Sequence, residues 1–270
     1  EDLAGYRVLE RRPLEVAYRD RRLRTNPPPT FGGALVGLAL RRLEAAGPAE
    51  ARHTPAWARH HVAVMAGIDR DRAAAHPEVV AALAEGLGAP LATRGTTHVS
   101  VADAEGNVAA MTTSNGECSG DVIAGTGIAT NNMLGEDDLH PDGFHAFEPG
   151  LRVASMMAPT FVLDRRGAVE VALGSGGSKR IRTALAGVLS ATIDDGLPLA
   201  DAIDAPRLHW DDDHLEVEPG LPEATLDALR QDHQVNVWPA PNMYFGGVHA
   251  VAPGRAGAAD GRRGGAVRHA

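Results

Sequence analysis

The chain has 270 residues, of which 44% are hydrophobic and 23% are charged, and its formal net charge is −9. These values predict an ordinary globular protein and argue against a disordered one. The negative charge argues against a nucleic-acid partner, because basic residues would be needed in excess to offset phosphate repulsion. No apolar stretch approaches the length of a bilayer-spanning helix, so we expect no membrane span, and the single Cys118 excludes an internal disulfide.

The first residues, EDLAGYRVLERRP, are charged where a secretory leader would be apolar, which favours the cytoplasm. The chain begins at Glu1 rather than at a methionine, however. We therefore expect a leader or a longer segment upstream, and a periplasmic or secreted location stays open.

Apolar and polar residues alternate in several pairs of segments, which is typical of β-hairpins. LEVAYRDRRLRT predicts the first hairpin, with its turn at Arg19 and Asp20. THVSVAD with VAAMTTS predicts a second hairpin, and PTFVLD with VEVALG predicts a third. Short strands are expected near residues 214–218 and 246–252, and the segment GRAGAADGRRGG near the end is predicted to be a surface loop.

Helical spacing of apolar residues fills the intervals between these strands. A start signal stands at Thr54 and Pro55, because proline is favoured in the first turn of a helix. The predicted helices cover residues 33–45, 56–70, 77–86, 179–194, 198–204 and 222–231. Strand pairs flanked by helices, with mostly hairpin connections, predict a layered α+β fold.

The stretch RGTT places two hydroxyl side chains, Thr96 and Thr97, at the start of the second hairpin. A threonine hydroxyl is a poor nucleophile without a base, and the α-amino group released by cutting the preceding peptide bond is such a base. Its pKa of about 8 leaves a useful fraction unprotonated near neutrality. Gly95 permits the distorted backbone that an N-to-O acyl shift needs. The alternative is that both threonines only begin a strand, where β-branched residues are common.

The stretch GSGGSKR, residues 174–180, lies between a predicted strand and a predicted helix. Its backbone N–H groups can therefore converge on an anion. The phosphate-loop pattern GxxxxGK[ST] is not matched, and Lys179 occupies the third glycine position of GxGxxG. An oxyanion site fits these residues better than a nucleotide site. A glycine-rich turn without a ligand is the alternative.

Five segments carry a further pattern, in this order: TTHVSVADAEGNVAA, GTGIATNNMLGEDD, SMMAPTFVL, GSGGSKRIRTAL and DAIDAPRLH. They resemble the small subunit of the γ-glutamyltransferases, which are N-terminal-nucleophile hydrolases, and the first 33 residues resemble the last third of that family's large subunit. The resemblance assigns residues 1–95 to the large-subunit region and 96–270 to the small-subunit region. It implies a four-layer αββα sandwich, incomplete here without the upstream part of the large subunit.

The same resemblance implies a precursor that cleaves itself between Gly95 and Thr96. Thr96 would then form an acyl-enzyme from a γ-glutamyl amide such as glutathione and pass the acyl group to water or to an amino acid. Ser114 stands where the family has a second threonine that orients the nucleophile. Gly177 and Ser178 stand at the paired-glycine oxyanion positions, and the resemblance implies neither a cofactor nor a metal ion.

The implied substrate pocket departs from the family's pattern. Ser155 and Met156 stand where the family has two serines that grip the glutamate α-carboxylate, so one hydroxyl has become a thioether, which cannot donate a hydrogen bond. The family's asparagine after the orienting threonine is displaced to Asn115, and the acid for the α-amine is Glu136 or Asp137. The implied substrate-binding residues are Asn115, Asn132, Glu136, Asp137, Ser155 and Met156. His98, within the first segment, is assigned a structural role.

These departures favour a divergent family member and leave alternatives open. Such an enzyme would hydrolyse a larger or non-glutamyl amide, or a carbon–carbon bond in secondary metabolism, and an inactive remnant is a further alternative. The family's large subunit supplies an arginine to the substrate, so we expect a large-subunit partner or upstream segment to be needed. A metal-dependent hydrolase using His140, His145, His209 and His214 is the other alternative, although these residues lack a recognised ligand spacing.

Overall fold

The computed structural model describes residues 2–28, 30–47, 50–73, 96–136, 139, 150 and 152–269. Several sequence predictions lie outside these residues. They are the helix over 77–86 and the site candidates Gly95, Asp137, His140 and His145.

Within the described residues the chain combines helices with strands, most of which pair antiparallel with a neighbour in sequence. The helices are α1 Asp2–Gly5, α2 Gly32–Ala45, α3 Pro55–Ala73, α4 Arg180–Ile193, α5 Leu199–Asp204 and α6 Glu223–Asp232. The strands are β1 Leu14–Tyr18, β2 Arg21–Thr25, β3 Thr96–Ala102, β4 Val108–Ser114, β5 Val122–Ile123, β6 Ile128–Ala129, β7 Thr160–Leu163, β8 Val169–Gly176, β9 Leu208–Asp211, β10 His214–Val217, β11 Val235–Val237, β12 Gly247–Ala252 and β13 Ala256–Ala259. The predicted hairpins β1–β2, β3–β4 and β7–β8 are confirmed, as are the predicted helices that the structure describes.

A six-stranded antiparallel sheet with strand order β1-β2-β7-β8-β12-β13 forms the centre of the fold. β2 pairs directly with β7, so the segment before Thr96 and the segment after it share one sheet. α2 and α4 pack on one face of this sheet, where their apolar residues form the main core with side chains such as Leu23, Leu173 and Val248. Nine of the 14 residues of α2 are buried, because α2 packs against the sheet, α3 and α4.

The β3–β4 hairpin packs on the opposite face of the sheet, over β8 and β12. Side chains of a strand alternate between its two faces, so Leu173 enters the helical core while Gly174 and Gly176 face the hairpin. The outward face of the hairpin is apolar and exposed, at Val99, Val101 and Met111. The mixed α+β character is confirmed, and helices, sheet and hairpin form three layers among the described residues. The four-layer sandwich stays a prediction.

A second core lies beside the main one. It is built on a three-stranded sheet of order β11-β10-β9, against which α3 packs, and α6 packs against α3 in turn. Trp57, Leu215 and Leu229 are buried in it. His209 on β9 is fully buried.

The C-terminal segment corrects one prediction. Ala256–Ala259 forms β13 at the edge of the central sheet instead of a surface loop, and the following Asp260 is fully buried. Arg207 and Arg262 both pair with Asp260. The sequence AGAA has no polar–apolar alternation, and it is a strand because β12 offers it a partner along the whole of its length.

No helix among the residues that the structure describes has both the length and the apolar character needed to cross a bilayer.

Candidate functional site

The register of the β3–β4 hairpin places Thr96 directly opposite Ser114. The two hydroxyl oxygens lie 3.0 Å apart, within hydrogen-bond distance. Ser114 Oγ also accepts a hydrogen bond of 3.0 Å from the N–H of Gly116, which fixes the position of this hydroxyl. A hairpin turn thus brings together two hydroxyls that are far apart along the chain.

Two glycines of β8 allow the hairpin to lie close to the sheet. A Cβ atom at Gly176 would overlap the carbonyl oxygen of Thr96, and a Cβ atom at Gly174 would overlap the ring of His98. Any side chain at either position would therefore push β3 away. The alternating glycines of GSGGSKR serve this close packing as well as the turn that follows.

The turn between β8 and α4 has an unusual backbone conformation. Gly177 has φ 130° and Ser178 has φ 51°, and a positive φ is uncommon for a residue with a side chain. The N–H groups of Arg180 and Ile181 bond to the carbonyls of Gly177 and Ser178, which closes the turn onto the start of α4. Ser178 lines the same pocket as Thr96.

A buried ion pair anchors this turn. Lys179, the only lysine of the sequence, is buried and donates to Asp211 of β9, which also accepts from the hydroxyl of Tyr244. Burial opposes ionisation of Asp211, but the hydrogen bonds from Lys179 and Tyr244 outweigh it and lower its pKa. The guanidinium of Arg180 lies over the ring of Tyr244 and donates to its carbonyl. Sequence reasoning noted Lys179 only as a mismatch to a nucleotide motif and missed Asp211 and Tyr244.

The pocket beside the Thr96–Ser114 pair brings together many of the predicted residues. It is lined by Thr96, Ser114, Gly116, Met133, Glu136, Leu139, Ser155, Met156, Met157, Ser178 and Ile181. Six residues predicted to be catalytic or substrate-binding are therefore neighbours in one depression. Among the described residues, the predicted Asn115, Asn132 and Gly177 do not line it.

Comparison with known proteins shows the family of this chain. The sequence model described as Gamma-glutamyltranspeptidase matches residues 57–270. The chain belongs to the gamma-glutamyltranspeptidase family. This confirms the resemblance drawn from the five sequence segments.

Individual members of the gamma-glutamyltranspeptidase family extend the comparison. The acylase ACY 1 proenzyme of Pseudomonas sp. (strain SE83) is 33% identical over 93% of this chain and 50% of its own length. The glutathione hydrolase proenzyme of Escherichia coli (strain K12) is 30% identical over 87% of this chain and 48% of its own length. The crystal structure of cephalosporin acylase from Bacillus halodurans superposes with a TM-score of 0.80 at 26% identity, over 99% of this chain and 54% of that one. The chain spans about half the length of the curated relatives it matches.

Two asparagines expected in the family's substrate pocket have other contacts here. Asn132 Oδ1 accepts a 2.7 Å hydrogen bond from the N–H of Glu117, and so supports the turn after Ser114. Gly116 in that turn has φ 58°, and a Cβ atom there would overlap both Asn132 and Glu136. Asn115 is exposed and donates to the carbonyl of Ala129 at 3.4 Å.

The pair at the family's serine positions is buried. Ser155 Oγ lies 3.4 Å from the hydroxyl of Thr30, and the Ser155 carbonyl accepts from the N–H of Phe31. Met156 lines the pocket with a thioether that cannot donate to a carboxylate. Thr30 thus places a hydroxyl beside the pocket. The sequence analysis missed this residue because it comes from the distant segment before α2.

His98 has the contacts of a structural residue. Its ring nitrogens lie 2.7 Å from Thr112 Oγ1 and 2.8 Å from Ser100 Oγ. Burial lowers the pKa of His98 to about 4, and the nearby His249 adds to this effect. His98 is therefore neutral at physiological pH and joins the two strands of the hairpin.

The histidines considered as metal ligands are engaged elsewhere or not described. His209 Nδ1 lies 3.0 Å from Thr183 Oγ1, and His214 pairs with Asp213 and Glu216. Within the described part of the chain, no group of three or more metal-binding side chains comes together.

Proposed function

We propose that this chain is the nucleophile-bearing part of a self-processing acyltransferase or hydrolase that acts on γ-glutamyl amides. Cleavage between Gly95 and Thr96 gives Thr96 a free α-amino group. The observation that carries this proposal is the Thr96–Ser114 hydroxyl pair, 3.0 Å apart, in a pocket shared with Ser178 and Glu136. Membership of the gamma-glutamyltranspeptidase family, among relatives described as proenzymes, supports it.

The chemistry needs no group beyond Thr96 for the proton transfers. The α-amine of Thr96 takes the hydroxyl proton while Oγ1 attacks the amide carbonyl carbon. The C–N bond then breaks, and the departing amine receives that proton from the ammonium group. Water or an amino acid next attacks the ester, which releases the acyl group and restores the hydroxyl. Ser114 holds Oγ1 in position throughout.

The turn at Gly177 and Ser178 is the proposed oxyanion site. Negative charge develops on the carbonyl oxygen during both attacks, and backbone N–H groups fixed in advance stabilise it at no cost of reorganisation. A serine can replace a glycine here because the donor is the backbone. The Lys179–Asp211 ion pair keeps this turn in place as the charge forms.

Met156 favours a second candidate substrate, an amide whose acyl group is not glutamyl. A γ-glutamyl group carries an α-carboxylate and an α-ammonium, and each needs a polar partner when it leaves water. Glu136 and Ser155 provide such partners, whereas Met156 provides a thioether where the family has a serine. The similarity to the acylase ACY 1 proenzyme supports this candidate as well.

A large-subunit partner or upstream segment completes the enzyme in this proposal. The chain spans about half the length of its relatives, and Val99, Val101 and Met111 expose an apolar hairpin face directly behind the nucleophile. Covering this face would remove apolar surface from water. It would also hold β3 against the sheet.

Intact mass and N-terminal sequencing of Thr96→Ala test the self-processing. We expect wild-type protein to yield a new N-terminus at Thr96 and the Thr96→Ala variant to remain uncleaved and inactive. Thr97→Ala is the matched control, because Thr97 is an exposed neighbour and should be processed normally. An active wild-type preparation without the new terminus would overturn the proposal.

Two anilides that differ by one group test the substrate. A γ-glutamyl anilide and a glutaryl anilide share the acyl chain, but only the first has an α-amine. Preference for the first supports the γ-glutamyl assignment, and preference for the second supports the other acyl amide. In either case Met156→Ser should improve turnover of the γ-glutamyl anilide, and of the glutaryl anilide as well, because both carry the carboxylate that the family's serines bind. Unchanged turnover of both anilides would contradict the role given to Met156.

A further inference from the structure

The N-terminus of α4 carries an unusual concentration of positive charge. Lys179, Arg180 and Arg182 are all buried there, and the first turn of the helix contains no acidic residue. The N-terminus of a helix is its positive end, so anions are favoured at this position and cations are disfavoured. The three cations follow directly on Ser178, in the turn proposed to stabilise the oxyanion. Groups elsewhere in the fold must therefore hold these cations in place.

Tyr244 is linked to two of these cations at once. Its hydroxyl donates to Asp211, which is the ion-pair partner of Lys179. Its carbonyl oxygen accepts a 3.0 Å hydrogen bond from Arg180 Nε, and the guanidinium carbon of Arg180 lies 4.7 Å from the centroid of the Tyr244 ring. One residue therefore holds both residues that follow Ser178, the first through Asp211 and the second directly.

The segment that carries Tyr244 packs directly against the turn between β8 and α4. A Cβ atom at Gly177 would lie 2.8 Å from the Cα atom of Gly246, so only glycine permits this approach. Within its own segment, Tyr244 donates its N–H to Asn242 Oδ1 at 2.9 Å and stacks on Trp238, with the ring centroids 5.0 Å apart. The contact with the turn is therefore made by a residue that is itself fixed.

The hydrogen bond from Tyr244 to Asp211 joins a neutral donor to a charged acceptor. Burial and the bond to Asp211 raise the pKa of Tyr244, so the hydroxyl keeps its hydrogen. Burial opposes ionisation of Asp211, but the hydrogen bonds from Lys179 and Tyr244 outweigh it and lower its pKa, so the carboxylate stays ionised at physiological pH. Hydrogen bonds to a charged group are roughly twice as strong as neutral ones, which suits this bond to a role in fixing geometry.

We propose that Tyr244 is a positioning residue for the turn between β8 and α4, which it holds through Asp211 and through Arg180. This inference rests on the oxyanion role proposed for that turn. Donors stabilise a developing charge only when they are already aimed at it, and groups at a reacting centre must be held within about 0.5 Å. Tyr244 does not line the Thr96 pocket, so its loss should lower kcat and leave KM nearly unchanged.

Tyr244→Phe tests this role, because it removes the hydroxyl and keeps both the ring and the backbone carbonyl. We expect kcat for the preferred anilide to fall about tenfold with little change in KM, the usual effect of losing one hydrogen bond to a charged group. Tyr18→Phe is the matched control. Tyr18 is also a buried tyrosine whose hydroxyl donates to an aspartate, Asp194, but at the opposite end of α4. Its kcat should equal that of wild type.

Two further measurements separate positioning from general destabilisation. Hydrogen–deuterium exchange of the peptide covering residues 174–182 reports the order of the turn and needs no turnover. Exchange there should be faster in Tyr244→Phe and unchanged in Tyr18→Phe. Asp211→Asn should lower kcat as well, and adding Tyr244→Phe to it should lower kcat little further, because the hydroxyl acts through Asp211.

The outcomes distinguish a failure of this inference from a failure of the proposed function. Unchanged exchange in Tyr244→Phe would overturn the inference, and so would equal losses of kcat in Tyr244→Phe and Tyr18→Phe. Faster exchange with a wild-type kcat would overturn it too, because the order of the turn would then not matter to the reaction. Faster exchange in a protein that neither processes itself nor cleaves an anilide would support the positioning of the turn and overturn the proposed function instead.

Discussion

Two antiparallel strand pairs of this protein, β3–β4 and β12–β13, are held in opposite ways. β3–β4 carries Thr96 and Ser114, lies on the sheet through close glycine contacts and leaves its outer face exposed. β12–β13 belongs to the central sheet and is followed by a buried network of charges around Asp260. From this difference we expect substitutions in β3–β4 to change the reaction rate more than the stability. Substitutions in the charged residues that follow β13 should change the stability more than the reaction rate.

The charged network explains why the C-terminal pair should control stability. Asp260 accepts from Arg207 at 2.6 Å and from the backbone N–H groups of Val248 and Arg262 at 2.9 Å each. Arg262 pairs with Glu218 at 2.6 Å as well. Burial opposes ionisation of Asp260, but the charges of the two arginines and these hydrogen bonds lower its pKa. Each buried charge is therefore compensated by another, and removing one of them leaves its partner buried without a counter-charge.

Asp260→Asn should cause the largest loss of stability. The variant keeps the shape of the side chain but leaves Arg207 without its buried counter-charge, and breaking such a pair typically costs about 3–5 kcal/mol. Urea unfolding followed by circular dichroism measures this loss. Asp232→Asn removes the partner of Arg59 in an exposed ion pair and should cost less than about 1 kcal/mol. Equal losses for the two variants would refute the importance given to the buried network.

The pH dependence of stability should report the packing of the β3–β4 hairpin. His98 has a pKa of about 4 when folded and an ordinary value of 6.5, so between these values the unfolded chain binds a proton that the folded chain does not. The free energy of unfolding should therefore fall as the pH drops from about 6.5 to 4, by about 3 kcal/mol from His98 alone. Unfolding at a series of pH values, in wild type and in His98→Gln, measures this contribution.

His214 supplies a control of opposite sign for this pH experiment. Hydrogen bonds to Asp213 and Glu216 raise its pKa, so its contribution to stability is present at low pH and is lost as the pH rises through its folded pKa. His214→Gln should therefore remove stability below that pH. A His98→Gln variant with the same pH profile as wild type would contradict the buried neutral state of His98.

Ser114→Ala should affect chemistry with little effect on stability. Without this hydroxyl the proposed nucleophile, Thr96, loses its 3.0 Å neighbour, and loss of positioning typically slows a reaction on the order of 10²-fold. Self-cleavage and anilide turnover should both slow, while the urea midpoint changes little because Ser114 is only half-buried. Thr113→Ala, on the exposed face of the same strand, is the control that should keep normal rates. An unaltered rate in Ser114→Ala would remove Ser114 from the mechanism.

Much of the first strand pair could be predicted from sequence, whereas the second could not. The polar–apolar alternation of THVSVAD and VAAMTTS predicted the hairpin, and its register follows from the short turn. AGAA carries no such local signal, and Asp260 is buried only because distant arginines reach it. The Lys179–Asp211 pair likewise joins residues far apart in sequence, so only the folded chain brings them together.

Substitution on the exposed face of β3–β4 has the smallest expected effect, and it tests whether the proposed upstream segment covers this face. Val101→Thr replaces an exposed methyl group by a hydroxyl of nearly the same size, so stability of this chain alone should change by less than about 0.5 kcal/mol. If an upstream segment covers the face, the hydroxyl is buried without a partner and the cost rises to about 1–3 kcal/mol. Urea unfolding of the 270-residue chain and of a form extended upstream distinguishes these cases. An equally small effect in both forms would mean that the hairpin face stays exposed, which would contradict its proposed cover by an upstream segment.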